Sequence, residues 1–322
     1  MNIFDKSDGQ ELRINMIGSH LKKTFSKKIV KLSLDGGFTC PNRDGSKGYG
    51  GCLFCSEKGS GDRASSFCED DSLSIKHALD RQINLLSDKW PDAGYIAYFQ
   101  SNTSTYAPVR ELRSKFEAAL NHPDVVGLAI ATRTDCLPDE VIDLLAELNS
   151  RTFLWVELGL QTIHDSTAKA MNLCHNLQDY DKSCKALLSR GIPVVTHLIL
   201  GLPGETEKMM LDSVRYVCRE SEFGKIFGIK LHMLNLVKGS MMEQKYPDYV
   251  SFETMDDYID LLIRSVEIIP PEITVHRISG DAPREILIAP HWSYKKRTIL
   301  NGIHREMKIR NTWQGKALED KR

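Results

Sequence analysis

Three cysteines in one short stretch are the residues of this 322-residue chain best suited to chemistry. Cys40, Cys52 and Cys55 follow the spacing C-x11-C-x2-C, and the loop between them is rich in glycine, so its backbone can wrap around a bulky group. Thiolates at this spacing suit an iron–sulfur cluster. Three thiolates would ligate three irons of a four-iron cluster and leave the fourth iron open, as a catalytic centre requires.

Zinc is the alternative metal for the same residues. The pair Cys52-x2-Cys55 is also typical of a zinc knuckle, and Cys68 with Cys40 would complete a four-thiolate site. A zinc-stabilised RNA-binding protein without catalysis is the corresponding function. The position of the loop, directly after the first predicted strand, favours the cluster. The remaining cysteines lack ligand spacing and are interpreted as small buried residues: Cys136, Cys174, Cys184 and Cys218.

The elements that must position these cysteines follow an alternating pattern. Apolar, β-branched runs alternate with amphipathic segments from residue 29 onward, which predicts βα units and a parallel sheet. The strands are predicted near 29–35, 94–100, 125–132, 152–158, 192–200 and 226–234, with a seventh near 273–278. Helices are predicted after Pro138, over 253–268 and around 293–308.

Polar or glycine-rich residues follow six consecutive predicted strands. In a full or partial (β/α) barrel the carboxyl ends of the strands meet on one face, where function resides. Scattered surface residues would not produce this agreement. One shared site at that face is therefore predicted.

The charge of the chain is unevenly distributed. The formal net charge is −1, yet residues 1–31 and 295–322 are both strongly basic and the body between them is acidic. Two basic ends could form a polyanion-binding surface, or they could be solvated tails. We predict a basic N-terminal extension at 1–28, a barrel at 29–278 and a basic C-terminal extension at 279–322.

The sequence shows no targeting segment or membrane span. Residues 1–20 lack a basic start followed by an apolar run, and no stretch approaches the ~18 apolar residues of a membrane span. We expect a cytoplasmic protein with no membrane partner. In that reducing compartment the cysteines are thiols or metal ligands rather than disulfides.

The motifs together resemble the radical S-adenosylmethionine (SAM) superfamily, and within it the YhcC/YtqA-like group, whose radical SAM domain is similar to that of the Elongator catalytic subunit. The resemblance covers about residues 15–315. It is carried by the long first cysteine interval and by the segments Glu157-Leu-Gly-Leu-Gln161, Gly201-Leu-Pro-Gly-Glu205 and His276-Arg-Ile-Ser-Gly-Asp281. It implies an α/β fold, a partial (β/α)6 barrel, a [4Fe-4S] cluster held by the three cysteines, and cleavage of SAM to a 5′-deoxyadenosyl radical.

The same resemblance assigns candidate SAM contacts. The family has a Gly-Gly-Glu-like segment after the second strand, where this chain has amide and hydroxyl groups instead. Glu157 and Gln161 are candidates for the ribose or the amine, although a paired interior carboxylate is the alternative for Glu157. Backbone at Gly201 and Gly204 could approach the adenine, or serve only a tight turn. The candidates on the second strand are Gln100, Ser101, Asn102 and Thr103.

Substrate contacts and partners are the least determined part. Similarity to the Elongator subunit implies a tRNA substrate, with the C5 side chain of a wobble uridine as the target, and an external one-electron donor. A radical SAM enzyme acting on a small metabolite is the alternative. The alternative to substrate binding is a core position for the candidate histidines and an ion-pair network for the candidate charged residues. The candidate substrate residues are His197, His232, His276, Arg277, Asp281 and Arg284.

Overall fold

A computed structural model describes residues 13–56, 59, 72–280 and 282–319 of the chain. The strands are β1 (Ile29–Leu34), β2 (Gly94–Phe99), β3 (Val125–Arg133), β4 (Phe153–Gln161), β5 (Val194–Leu200), β6 (Gly228–Met233), β7 (Leu236–Val237), β8 (Thr274–Arg277) and β9 (Leu287–Ala289). The helices are α1 (Ile17–Phe25), α2 (Ser72–Ser87), α3 (Val109–Leu120), α4 (Asp139–Arg151), α5 (Asp165–Ala170), α6 (Leu177–Ser189), α7 (Glu207–Val217), α8 (Met241–Lys245), α9 (Met255–Glu267), α10 (Lys296–Ile309) and α11 (Lys316–Glu319), with a 3-10 turn at His291–Tyr294.

Seven parallel strands form the main sheet, in the order β1-β2-β3-β4-β5-β6-β8. Helices connect successive strands, and β7 and β9 form a separate antiparallel pair. The predicted α/β class and partial barrel are confirmed. The strand predicted near 273–278 is present as β8, which gives the barrel seven parallel strands rather than six.

Alternating side chains of each strand face two different environments. On β4, Val156 and Leu158 belong to the core between the sheet and its helices. Trp155 points to the other face, into a smaller apolar cluster with Ile17 and Leu21 of α1. Helix α1 thus closes the amino end of the barrel. Polar residues further along the strands face the carboxyl end.

The two ends of the described chain are held together by one buried glutamine. The side chain of Gln314 accepts a hydrogen bond from the Asn15 N–H at 2.9 Å. Its amide nitrogen donates to the carbonyls of Pro270 and Ile273, both at 2.8 Å. The Gln314 N–H also donates to the Arg13 carbonyl. Segments on both sides of the barrel are therefore fastened at its amino end.

The predicted domain limits stay a prediction. The described part of the N-terminal extension includes α1, which contacts β1 and β8. In the C-terminal extension, α10 buries Ile299, Ile303 and Met307 in the main core. Both extensions thus contribute to the barrel's own packing.

The predicted helices are present. Helix α4 begins at Asp139 with Pro138 at its N-cap, where the fixed φ of proline suits a helix start. Helices α9 and α10 correspond to the patterns at 253–268 and 293–308. No helix within the described ranges is long and apolar enough to cross a membrane.

Replacing Gln314 by leucine should lower the free energy of unfolding by roughly 2–4 kcal/mol, because three backbone groups would lose their partner in a buried position. Equilibrium urea denaturation measures this. Gln178→Leu, on the exposed face of α6, is the matched control and should change stability by less than about 0.5 kcal/mol. Equal effects of the two substitutions would contradict this role of Gln314.

Candidate functional site

A cavity of about 300 Å³ opens at the carboxyl ends of the strands. Residues from β2, β3, β4, β5, β6 and β8 contribute to its wall, together with the loop that follows β1. The convergence expected from the strand-end residues is thus observed. Parallel strands necessarily bring these ends to one face.

The loop after β1 brings three cysteine side chains to this cavity. Cys40, Cys52 and Cys55 all line it, and all three are partly exposed. Gly50 and Gly51 adopt positive φ angles of 77° and 82°, which favour glycine. These two conformations let the chain turn back so that the last two cysteines face the first.

The cysteine loop is held on two sides by other parts of the chain. The Leu53 N–H donates to the Met171 carbonyl at 3.0 Å, and the Met242 N–H donates to the Leu53 carbonyl at 2.8 Å. The amide nitrogen of Asn42 donates to the Asn172 carbonyl and lies 3.7 Å from Cys52 Sγ. The loop is therefore positioned by the segment after α5 and by α8.

Arg133 at the end of β3 supports the same region. Its guanidinium makes two hydrogen bonds of 2.9 Å with the Asp135 carboxylate and donates to the Leu173 carbonyl at 2.8 Å. The hydrogen bond from Cys55 lowers the pKa of Cys52 to about 7, and the positive charge of Arg133 adds to this against the effect of burial. The wall of the cavity thus favours a thiolate.

The three thiols fit an iron–sulfur cluster in chemistry and in placement. They share one wall of a cavity that is large enough for a polyatomic group and is bordered by cationic side chains. Among the described residues, no three His, Cys, Asp or Glu side chains, these thiols included, are arranged around a single metal ion; a four-iron cluster instead needs its three thiolates on three different irons. The zinc alternative required Cys68, which lies outside the described residues.

The segment after β2 divides into lining and supporting residues. Gln100, Asn102 and Thr103 line the cavity. Ser101 is buried and is not among the lining residues. Asn102 has a φ of 55°, in the left-handed region, and its amide donates to the Phe38 carbonyl at 3.0 Å. Asparagine is one of the few residues besides glycine that adopt this conformation readily.

Gln161 at the end of β4 shows the same feature. Its φ is 72°, and it lines the cavity together with Gly159. A Cβ atom on Gly159 would lie 2.9 Å from the amide nitrogen of Gln161. The glycine therefore leaves room for this amide at the cavity wall.

Glu157 lies at the bottom of the cavity and is fully buried. Its carboxylate accepts hydrogen bonds from the Tyr98 hydroxyl at 2.7 Å and the Trp155 indole at 2.9 Å. His197 Nε2 lies 2.8 Å from the same carboxylate, and Lys230 forms an ion pair with it. Glu157 is thus a paired interior carboxylate at the cavity's floor.

Glu157 and the side chains that contact it form a buried polar layer. Burial and the interactions among these side chains set their charges. Burial alone would raise the pKa of Glu157, but Lys230 and then Lys31 hold it well below its usual range. Burial lowers the pKa of His197 to about 4, with a further contribution from Lys230. Glu157 is accordingly ionised and His197 is neutral near pH 7.

The structure separates the remaining candidates. His197, His232 and Arg277 line the cavity, whereas His276 packs against Trp155 and Phe227 below it. The other candidates are not among its lining residues: Gly201, Gly204 and Arg284. Arg284 is exposed and lies over the Tyr294 ring, and Asp281 falls outside the described residues.

Sequence reasoning did not single out two residues of the polar layer. Tyr98 and Lys230 lie on strands that were interpreted as apolar. The available signal was Lys230 itself, because a lysine in the middle of a strand that is buried on both faces needs a partner. Its partner on β4 could not be deduced from spacing alone.

The fold and the thiol-lined cavity define an α/β-barrel enzyme with a candidate metal centre at the carboxyl ends of its strands. Residues 40–217 match the family described as the Radical SAM superfamily, and residues 226–309 match the Radical_SAM C-terminal domain. The first match covers more than half of the chain, and the chain belongs to the radical SAM superfamily.

Two relatives confirm the group that the motifs resembled. The uncharacterized protein YtqA of Bacillus subtilis is 47% identical over 96% of this chain and 94% of its own length. Protein YhcC of Escherichia coli is 38% identical over 95% of each chain.

More distant similarity leads to proteins of the Elongator type. The archaeal Methanocaldococcus infernus Elp3 has a similar fold, with a TM-score of 0.64 at 16% identity over 89% of this chain and 64% of that one. The tRNA uridine(34) acetyltransferase of Methanocaldococcus jannaschii is 24% identical over 51% of this chain and 30% of its own length. This chain thus spans less than two thirds of either protein.

The superfamily's cofactors, a [4Fe-4S] cluster and SAM, are the cofactors of this enzyme. We assign the cluster to Cys40, Cys52 and Cys55, and we propose the lining amides and hydroxyls of the segment after β2 as SAM contacts. When bound, the two cofactors supply a radical that abstracts hydrogen. The chain's own residues position the reactants and exclude water.

Replacing any one of the three cysteines by alanine should abolish the cluster, since each thiolate holds a different iron. We expect most of the iron and sulfide, and the broad visible absorbance, to be lost after anaerobic reconstitution. Cys184→Ala is the control, because Cys184 lies on α6 and does not line the cavity. A variant of Cys40, Cys52 or Cys55 that retains a full cluster would remove that residue from the ligand set.

Glu157→Gln should lower the free energy of unfolding by about 3–5 kcal/mol, because it leaves Lys230 buried without its counter-charge. Equilibrium urea denaturation of the cluster-free chain measures this loss. The matched control is Glu147→Gln, which breaks an exposed ion pair with Arg113 and should cost at most about 1 kcal/mol. Comparable losses in both variants would mean that the buried layer is not electrostatically coupled.

Proposed function

We propose that this radical SAM enzyme modifies tRNA, with the C5 side chain of a wobble uridine as its target. The observation that carries the proposal is the similarity of half the chain to a tRNA uridine(34) acetyltransferase. Relatives that match this chain over nearly their whole length include YtqA, which is uncharacterized, and YhcC. The substrate therefore has to be argued from the distant similarity and from the site.

The charge of the cavity supports a polyanionic substrate. Four basic side chains line it, of which Lys230 is paired with Glu157 and Arg133 with Asp135, and Glu157 is its one lining carboxylate within the described residues. A nucleotide that leaves its stack to enter such a cavity would bring its phosphates towards positive charge. The lining cations are Arg43, Arg133, Lys230 and Arg277.

Some basic residues of the described termini lie away from the cavity or are paired with acids. Lys23 at the end of α1 and Lys28 before β1 lie at the amino end of the barrel, opposite the cavity. Arg310 is paired with Asp260. Removing α10 to test the basic C-terminus would expose its buried face, so truncation is not an informative experiment.

The reaction also needs an electron from outside the chain. We propose an external one-electron donor, and we place the enzyme in the cytoplasm. All seven described cysteines are free, as expected in a reducing compartment.

A deletion strain provides the test in the form of its tRNA nucleoside profile. We expect at least one modified wobble uridine to disappear or to be replaced by a precursor, and the wild-type gene to restore it. A gene encoding Cys52→Ala should not restore it. The same tRNA, given to the reconstituted enzyme with SAM and a strong reductant, should increase 5′-deoxyadenosine formation.

An unchanged nucleoside profile, with no stimulation by tRNA, would contradict the tRNA proposal. It would leave the radical chemistry in place, because 5′-deoxyadenosine formation without substrate reports that chemistry separately. A small metabolite would then be the substrate class to screen.

A further inference from the structure

The floor of the cavity holds more basic side chains than carboxylates, and burial lowers the pKa of Lys230 and of Lys31 while Glu157 opposes both shifts. Glu157 is already shared among four partners, including the ion pair with Lys230. Lys31 lies 3.8 Å from the same carboxylate. A single buried carboxylate thus faces two lysines, and it has no capacity left to balance a further cation.

Arg277 is that further cation. It lies at the end of β8, is half-buried and lines the cavity. Within the described ranges no carboxylate forms an ion pair with it. Its planar guanidinium presents donors that suit a carboxylate or a phosphate. Burying such a group without a counter-charge is unfavourable, and a ligand would relieve that cost.

A second group that has no hydrogen-bond or ion-pair partner in the described part of the chain lies in the same wall. His232 lines the cavity, and its Nε2 atom is buried with no hydrogen-bond partner among the described residues. Burial, followed by the charge of Arg277, lowers the pKa of His232 well below its usual value, so the ring is neutral. A neutral imidazole can donate one hydrogen bond from Nε2 to an oxygen atom.

We propose that Arg277 and His232 form a subsite for an anionic group of the substrate, a carboxylate or a phosphate. The guanidinium supplies the counter-charge and two parallel donors, and the imidazole supplies one further hydrogen bond. The subsite and the three cysteines line the same cavity, so a substrate anchored at the subsite would be held in the space that the cofactors share. The inference rests on the proposed radical chemistry in this cavity, and it does not require that the substrate be tRNA.

The test uses the full-length reconstituted enzyme and two small probes, propionate and inorganic phosphate. Each is titrated by isothermal calorimetry at constant ionic strength, with chloride as the balancing ion. We expect wild type to bind at least one probe saturably, and the stronger probe indicates whether the natural group is a carboxylate or a phosphate. Saturable binding of neither probe would overturn the proposal.

Substitutions at Arg277 connect that binding to the proposed subsite. Arg277→Gln should lower the affinity for the bound probe at least about tenfold, because a charge-assisted hydrogen-bonded pair is lost. Arg277→Lys should lie between this variant and wild type, since it keeps the charge without the fork. Arg110→Gln is the control, as Arg110 is an exposed arginine on α3 outside the cavity and should bind the probe like wild type.

Two results would assign the arginine differently. Wild-type affinity for the probe in Arg277→Gln and Arg277→Lys would overturn the subsite. The subsite would also be overturned if SAM no longer changed the spectrum of the reduced cluster in Arg277→Gln, because Arg277 would then bind the carboxylate of SAM. If the enzyme binds a probe at Arg277 but the deletion strain has an unchanged tRNA nucleoside profile, the tRNA proposal alone is refuted and the subsite stands.

Discussion

The ion pair between Glu157 and Lys230 is the constraint on which the interior of this barrel depends. Neither charge is stable alone at that depth, and each is tolerable because the other lies beside it. Tyr98, Trp155 and His197 complete the hydrogen bonding of the carboxylate. Together these groups form a polar layer between the apolar amino end of the barrel and the cavity.

That layer separates stability from chemistry along the barrel axis. Towards the amino end, α1 seals the interior with Ile17 and Leu21, as an ordinary core would. Towards the carboxyl end, the walls are polar and the thiols are accessible. Because Glu157 is already bonded to its own neighbours, it does not pair with Arg277, which lines the cavity.

Much of the fold could be predicted from the sequence, because it depends on local patterns. β-Branched runs and their spacing were sufficient for seven strands, and the motifs together were sufficient for the family group. The three cysteines do line one cavity, while their role as cluster ligands stays a prediction. The glycines at 201 and 204 were less informative, since the same residues serve a tight turn and a cofactor approach. His276 shows the same limit, because its neighbours come from other strands.

The polar layer could not be predicted for a related reason. Its members come from four strands, and Tyr98, Glu157 and Lys230 meet only because their side chains reach towards one another across the inside of the barrel. The support of the cysteine loop by Asn172 and by α8 is equally non-local. The spacing of residues within one strand or helix carries no information on contacts with residues of other elements.

The hydrogen bond between Gln314 and Arg13 means that positions 301 residues apart in the chain are neighbours in space. A short linker could therefore join them, and the polypeptide could be reopened at an exposed turn such as 221–224, at the base of the barrel. In such a circular permutant the order of translation would change while the catalytic mouth, at the opposite pole, kept every one of its strands.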